Sequence, residues 1–114
     1  MSADQIAEIA PAIREAIDGG PDICSTFTVV GKPDAWVQFV GGVANAAYPR
    51  TDDPSMILAS LGSAALESWA PGEFLTVKLD TGDVPSIAAW IDRYFEQVLN
   101  AGSGYALDVS IESM

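Results

Sequence analysis

Apolar residues recur along this chain with two different periods, and each change of period marks a new element. Ile6, Ile9, Ile13, Ala16 and Ile17 fall at three- and four-residue spacings, which line one face of a helix. Ser2 is placed to cap that helix, with Gln5 three residues on in the manner of a capping box. Pro11 lacks the N–H that a helix interior needs, so a kink or a fresh start is expected near Ala10. Gly19-Gly20 ends the segment and Pro21 prevents its resumption. The period then drops to two. Residues 24–30 alternate and are rich in β-branched side chains, which predicts a strand. Gly31-Lys32-Pro33-Asp34 reads as a turn. A second strand follows, opening with Ala35-Trp36-Val37-Gln38-Phe39-Val40 and continuing through Val43 to Tyr48, with Gly41-Gly42 as a bulge or bend within it.

In the second half, Asp53 is the expected N-cap and Pro54 the first position of a short helix that carries Met56, Ile57 and Leu58 and stops at Leu61-Gly62. Strands are expected from Ala64 to Trp69 and from Phe74 to Leu79, around a turn at Pro71-Gly72. In the latter, Leu75, Val77 and Leu79 face one way, and Phe74, Thr76 and Lys78 the other. The clearest helix starts at Asp83 as N-cap, with Pro85 in its first turn. Its apolar face is Val84, Ile87, Ala88, Ile91, Tyr94, Phe95 and Val98. Asn100, Gly102 and Gly104 close it. Tyr105, Leu107, Val109 and Ile111 then alternate with polar residues as a half-buried strand. The pattern shows neither repeat nor linker. It predicts a single α+β domain over residues 1–114: a mainly antiparallel sheet flanked by an N-terminal helix, a short middle helix and a long amphipathic helix.

Composition narrows the function. The 114 residues are 49% hydrophobic and 18% charged, enough to fold around a core. The formal net charge of −11, with 5 Lys and Arg against 16 Asp and Glu, argues against nucleic acid and anionic membranes as partners. The same charge attracts a basic protein, unless it serves only to keep the chain soluble. Cys24 is the single cysteine, so no internal disulfide forms, which suits a reducing cytoplasm. The N-terminal stretch has early acidic residues and no basic n-region, unlike a signal peptide. No apolar run reaches the roughly 18 to 20 residues that a membrane helix needs. Histidine is absent, which removes the commonest general base and metal ligand and excludes zinc patterns and histidine-based nucleophile systems within the chain.

The remaining candidates divide unevenly. Asp52-Asp53 and the Asp80/Asp83 pair each precede a helix, where capping accounts for them better than Mg²⁺ or Ca²⁺ does. Cys24 has no neighbouring cation in sequence and reads as a small buried hydrophobe. The glycine pairs lack the Lys-Ser/Thr of a phosphate loop. Glu67 with Glu73 is the carboxylate pair that an enzyme without histidine would use, but nothing in the sequence places it in a pocket. No catalytic residue, metal or cofactor is therefore expected. The tryptophans carry more weight. Alternation puts Val37 and Phe39 toward the helices, and Trp36, Gln38 and Val40 on the opposite face. Trp69 lies near a strand end, and Trp90 is displaced from the main line of the last helix. Trp36, Gln38, Val40, Trp69 and Trp90 are the expected partner-binding residues, since a sheet with so little helix leaves one face for another chain.

Residues 36–40, the short helix ending at Leu61-Gly62, the strand from Phe74 to Leu79 and the helix from Val84 to Leu99 together resemble the type III secretion chaperone-like fold, in its TY-Chap branch, from about residue 24 onward. Ser63 follows the Leu-Gly pair where that group often has an aromatic, and the closing strand comes after the last helix. The resemblance implies a small, acidic, homodimeric, non-enzymatic protein that holds a partner polypeptide on its sheet or helix surface. An acidic immunity- or antitoxin-like inhibitor of a basic protein is the alternative.

Overall fold

The computed structural model describes residues 3–20, 22–62, 64–80, 82–102 and 105–113, with side chains from Gln5 onward. The expected cap Ser2, together with Pro21, Ser63 and Gly104, lies outside these residues. The first helix, α1, runs unbroken over Ala3–Asp18 with Pro11 inside it. The fresh helix start expected near Ala10 does not occur, for a positional reason. Pro11 sits on the exposed side, where water can satisfy the carbonyl it leaves unpaired. The opposite stripe of Ile9, Ala12, Ile13 and Ala16 is buried and packs both halves of the helix against the core. Ile17 lies off that stripe and is 41% exposed. Gln5 does not look back to the helix start. It is buried, and its Nε2 donates to the Tyr105 carbonyl.

The sheet has six strands: β1 (Ile23–Val29), β2 (Lys32–Val40), β3 (Val43–Ala47), β4 (Ala64–Ala70), β5 (Phe74–Leu79) and β6 (Leu107–Ser113). Their order across the sheet is β4-β5-β3-β2-β1-β6, and every neighbouring pair is antiparallel. The expected long second strand is in fact two. Gly41 and Gly42 have φ of 57° and 79°, the left-handed values that both central residues of a type I′ two-residue hairpin turn require. A bulge inserts a residue into a strand that carries on, whereas two successive left-handed glycines reverse the chain, and Val40 pairs with Val43.

Two further helices complete the fold: α2 (Ser55–Leu61) and α3 (Val84–Gln97). α2 starts one residue later than expected, with Pro54 at the N-cap position, and the Asp53 carboxylate just before it accepts the Ser55 N–H at 2.8 Å. Hydrogen bonds from Ser55, side chain first and then backbone, hold the Asp53 carboxyl below its ordinary range. At α3 the Asp83 carboxylate accepts from the Ser86 N–H at 3.2 Å and from its hydroxyl at 2.7 Å, the expected cap.

All the described helices lie on one face of the sheet. α1 packs on α3 and against β1, β2 and β6, and α2 packs on α3 and β4. Between the layers lie Phe27, Val37, Phe39, Leu75 and Val77 from the sheet, and Ile9, Ile13, Ile87, Ile91 and Phe95 from the helices, none more than 2% exposed. Full burial of each such side chain contributes about 1.5–3 kcal/mol. Directional bonds then register the layers. The Tyr94 hydroxyl donates to the Ala47 carbonyl at 2.7 Å, and Arg93 Nη2 donates to the Leu61 carbonyl at the end of α2 at 2.9 Å. With these helices on one side, no covering layer lies on the other side of the sheet among the described residues.

Candidate functional site

The pairing register arranges the open face in three parallel rows, because cross-strand partners share a face. The middle row is polar from edge to edge: Ser68, Thr76, Asn45, Gln38, Thr26 and Ser110 stand opposite one another on successive strands. Within it the Thr76 hydroxyl donates to Asn45 Oδ1 at 2.7 Å. Asn45 Nδ2 then donates to Gln38 Oε1 at 3.4 Å, and Gln38 Nε2 to Thr26 Oγ1 at 3.4 Å. These half-buried side chains satisfy one another along four adjacent strands.

Two apolar rows flank this rail. On one side Phe74 pairs with Ala47, and Trp36 with Thr28; Ala47 and Trp36 line the same hollow. On the other side Val43, Val40 and Cys24 are successive partners, with Lys78 and Glu112 at the two ends of that run. The face is therefore an apolar, a polar and an apolar stripe in parallel. At the Trp36 end lies a hollow of about 290 Å³ whose rim carries the exposed carboxylates Asp34 and Glu73. Aromatic surface beside two carboxylates suits a Lys or Arg side chain.

The five expected residues do not share one surface. Trp36, Gln38 and Val40 lie together on the open face, all half-buried. Trp69 is on the helix-covered side, where it pairs with Leu75 and meets the Tyr48 ring edge-on at 5.9 Å. Trp90 is 0% exposed and stacks on Tyr94 at 5.3 Å, so it offers no ring to a partner; its place is the core. Its displacement from the main apolar line of α3 suggested exposure, but the apolar face of α3 is wide enough to enclose it. The alternation along β5 already sets Phe74 and Thr76 on the face opposite Leu75, Val77 and Leu79. It does not connect them to Gln38, because β3, the strand that joins them, reads in the sequence as an extension of β2. Asn45 on β3 was missed for that reason.

A separate acidic group lies inside the fold. Asp92 is fully buried, and the Tyr105 hydroxyl donates to its Oδ1 at 2.7 Å. Burial, and next Asp92 beside it, push the Glu96 carboxyl above its ordinary range. Burial, followed by the bond to Asp92, also raises the Tyr105 phenol. Its contacts join α3 to the approach to β6. Glu67 sits at the irregularity in β4 and Glu73 in the turn before β5, both exposed. Cys24 is buried, with its Sγ 3.8 Å from Thr26 Oγ1. Among the described residues, no three His, Cys, Asp or Glu side chains converge as a metal ion would require. No described helix is long and apolar enough to cross a membrane. Comparison with protein-family models, curated proteins and solved structures returns no match for this chain.

Proposed function

We propose that this chain is a non-catalytic protein-binding module, chaperone-like in kind, that holds another polypeptide on the open face of its sheet. One observation carries the proposal: the rail Thr76–Asn45–Gln38–Thr26 is hydrogen-bonded within itself between two apolar rows. A partner that covers it strips water from groups that are already paired, so docking forfeits little hydrogen bonding while it buries Trp36, Val40, Val43 and Phe74. A second copy of the chain is the occupant to test first, which makes the protein a homodimer. The single free cysteine suits work in a reducing cytoplasm. Light scattering after size exclusion tests the idea. The expected result is a dimer in both low and high salt that Trp36→Glu and Val40→Asp each convert to monomer. A monomer under both conditions would overturn self-association.

A second reading, an acidic inhibitor of a basic protein, is favoured by the net charge of −11 and by the carboxylates beside Trp36. It predicts an association rate with a basic partner that falls steeply with salt, where an apolar contact would be almost insensitive.

A further inference from the structure

We propose that β6 is a docking edge that takes, by strand addition, an extended segment of another protein in which basic and apolar residues alternate. The proposal rests on the protein-binding reading but concerns a different surface, the rim of the sheet rather than its open face. β4 and β6 are the two edges. β4 is protected: its register breaks between Leu66 and Ser68, Pro71 follows it, and α2 lies against it. β6 pairs with β1 in unbroken register from Leu107 to Ser113, and this stretch contains no Pro, Gly, Lys or Arg to blunt it.

The register also shows which backbone groups face outward. The Val30 N–H donates to the Ala106 carbonyl at 2.9 Å, in line with the β1–β6 pairing. Hydrogen-bonded and non-hydrogen-bonded pairs alternate in an antiparallel ladder. Asp108, Ser110 and Glu112 therefore turn their backbone N–H and C=O toward β1, while Leu107, Val109 and Ile111 turn theirs away from the sheet. Among the described residues no strand lies beyond them. An added strand would meet these groups as a seventh strand and form a sixth ladder.

The side chains define the occupant. On the helix side, Val109 and Ile111 are 38% and 37% exposed, high for apolar residues that face a core layer. On the open side, Asp108 and Glu112 are exposed. Partner residues opposite these positions must be alternately apolar and basic. A second copy of β6 fits poorly. The antiparallel overlap that pairs all seven residues is centred on Ser110 and sets Asp108 against Glu112 of the second copy, twice, and like charges directly opposite destabilise. The overall charge of −11 steers a basic segment to this edge.

The test uses the full chain and three labelled peptides read by fluorescence anisotropy: alternating Lys-Val-Lys-Val-Lys-Val-Lys, the same composition with all Lys before all Val, and the alternating peptide with Glu for Lys. The alternating basic peptide should bind, the block peptide more weakly and the Glu peptide not at all. Ile111→Pro deletes an N–H that β1 does not use, so the fold should survive, which circular dichroism checks. The missing donor and the ring obstruct an added strand, and affinity should fall by about ten-fold or more. Asp108→Lys with Glu112→Lys should weaken the basic peptide by about five- to thirty-fold and admit the Glu peptide. Equal binding of the block peptide, or indifference to Ile111→Pro, would overturn the proposal in favour of plain charge attraction. Conversion of a dimer to monomer by Ile111→Pro would overturn it in favour of a second copy at this edge. Light scattering on the same samples separates the two ideas: a dimer that ignores every peptide sinks the edge proposal and leaves the open-face reading standing.

Discussion

The two faces of the sheet use the same strands and follow opposite rules. On the covered face, Phe27, Val37, Phe39, Leu75 and Val77 meet the helices and no polar bond is needed. On the open face the middle row is wholly polar, and Thr76, Asn45, Gln38 and Thr26 within it bond one another instead of a second layer. Position along a strand does not distinguish the two, since each strand supplies both. What differs is the presence of a covering layer. A side chain on the open face must tolerate both water and a partner, and a self-bonded polar rail between apolar rows meets both conditions.

The sharpest way to break that contrast is to truncate a tryptophan on each side. Trp90→Ala should cost about 3–5 kcal/mol in urea denaturation, the range for losing a fully buried aromatic. Trp36→Ala should cost about 1–2 kcal/mol, because the ring is already partly exposed and no helix packs over it. Equal losses would mean that the open face is as tightly covered as the core in the protein that folds in solution. Asn45→Ala comes next. It removes both the acceptor for Thr76 and the donor to Gln38, and water can replace each in part, so about 1–2 kcal/mol is expected. An unchanged denaturation midpoint would show that the rail does not hold the strands together.

A smaller effect of opposite sign tests the covered face. Ser25 is 0% exposed, and its hydroxyl has no hydrogen-bond partner among the described residues. Ser25→Ala should stabilise the fold by about 1 kcal/mol, and a loss would reveal a partner such as a buried water. The last effect is a slope. Burial and then Asp92 raise the Glu96 carboxyl, so the folded chain holds a proton that the unfolded chain has already released. Stability from this group is complete below the ordinary carboxylate range and is lost as pH rises through the elevated value. Glu96→Gln should flatten that decline without altering the acid limb. Parallel pH profiles for the two proteins would show that Glu96 does not drive it.

Local chemistry was sufficient to make much of this legible. The α1 and α3 stripes, the Asp83 cap, the Phe74–Leu79 strand and its two faces, and the outward set Trp36, Gln38 and Val40 all follow from spacing and capping, which act over a few residues. Pro11 and Gly41-Gly42 misled for a shared reason. Whether a proline breaks a helix, or a glycine pair bends or reverses a strand, depends on what packs against each side of it. Trp69 and Trp90 misled because aromatic surplus does not reveal which layer encloses a ring.

The sequence by itself determined all the elements except the division between β2 and β3, with their amphipathic faces, the acidity and the absence of histidine chemistry, since each is a property of the residues or of their nearest neighbours along the chain. Only the tertiary structure decided that β3 stands between β2 and β5, that six polar side chains from six strands form one row, and that β4 and β6 are the edges of the sheet. Those relations join residues as far apart as Thr26 and Ser110, whose pairing is selected by burying the whole helix-facing side of the sheet at once, and no local spacing records it.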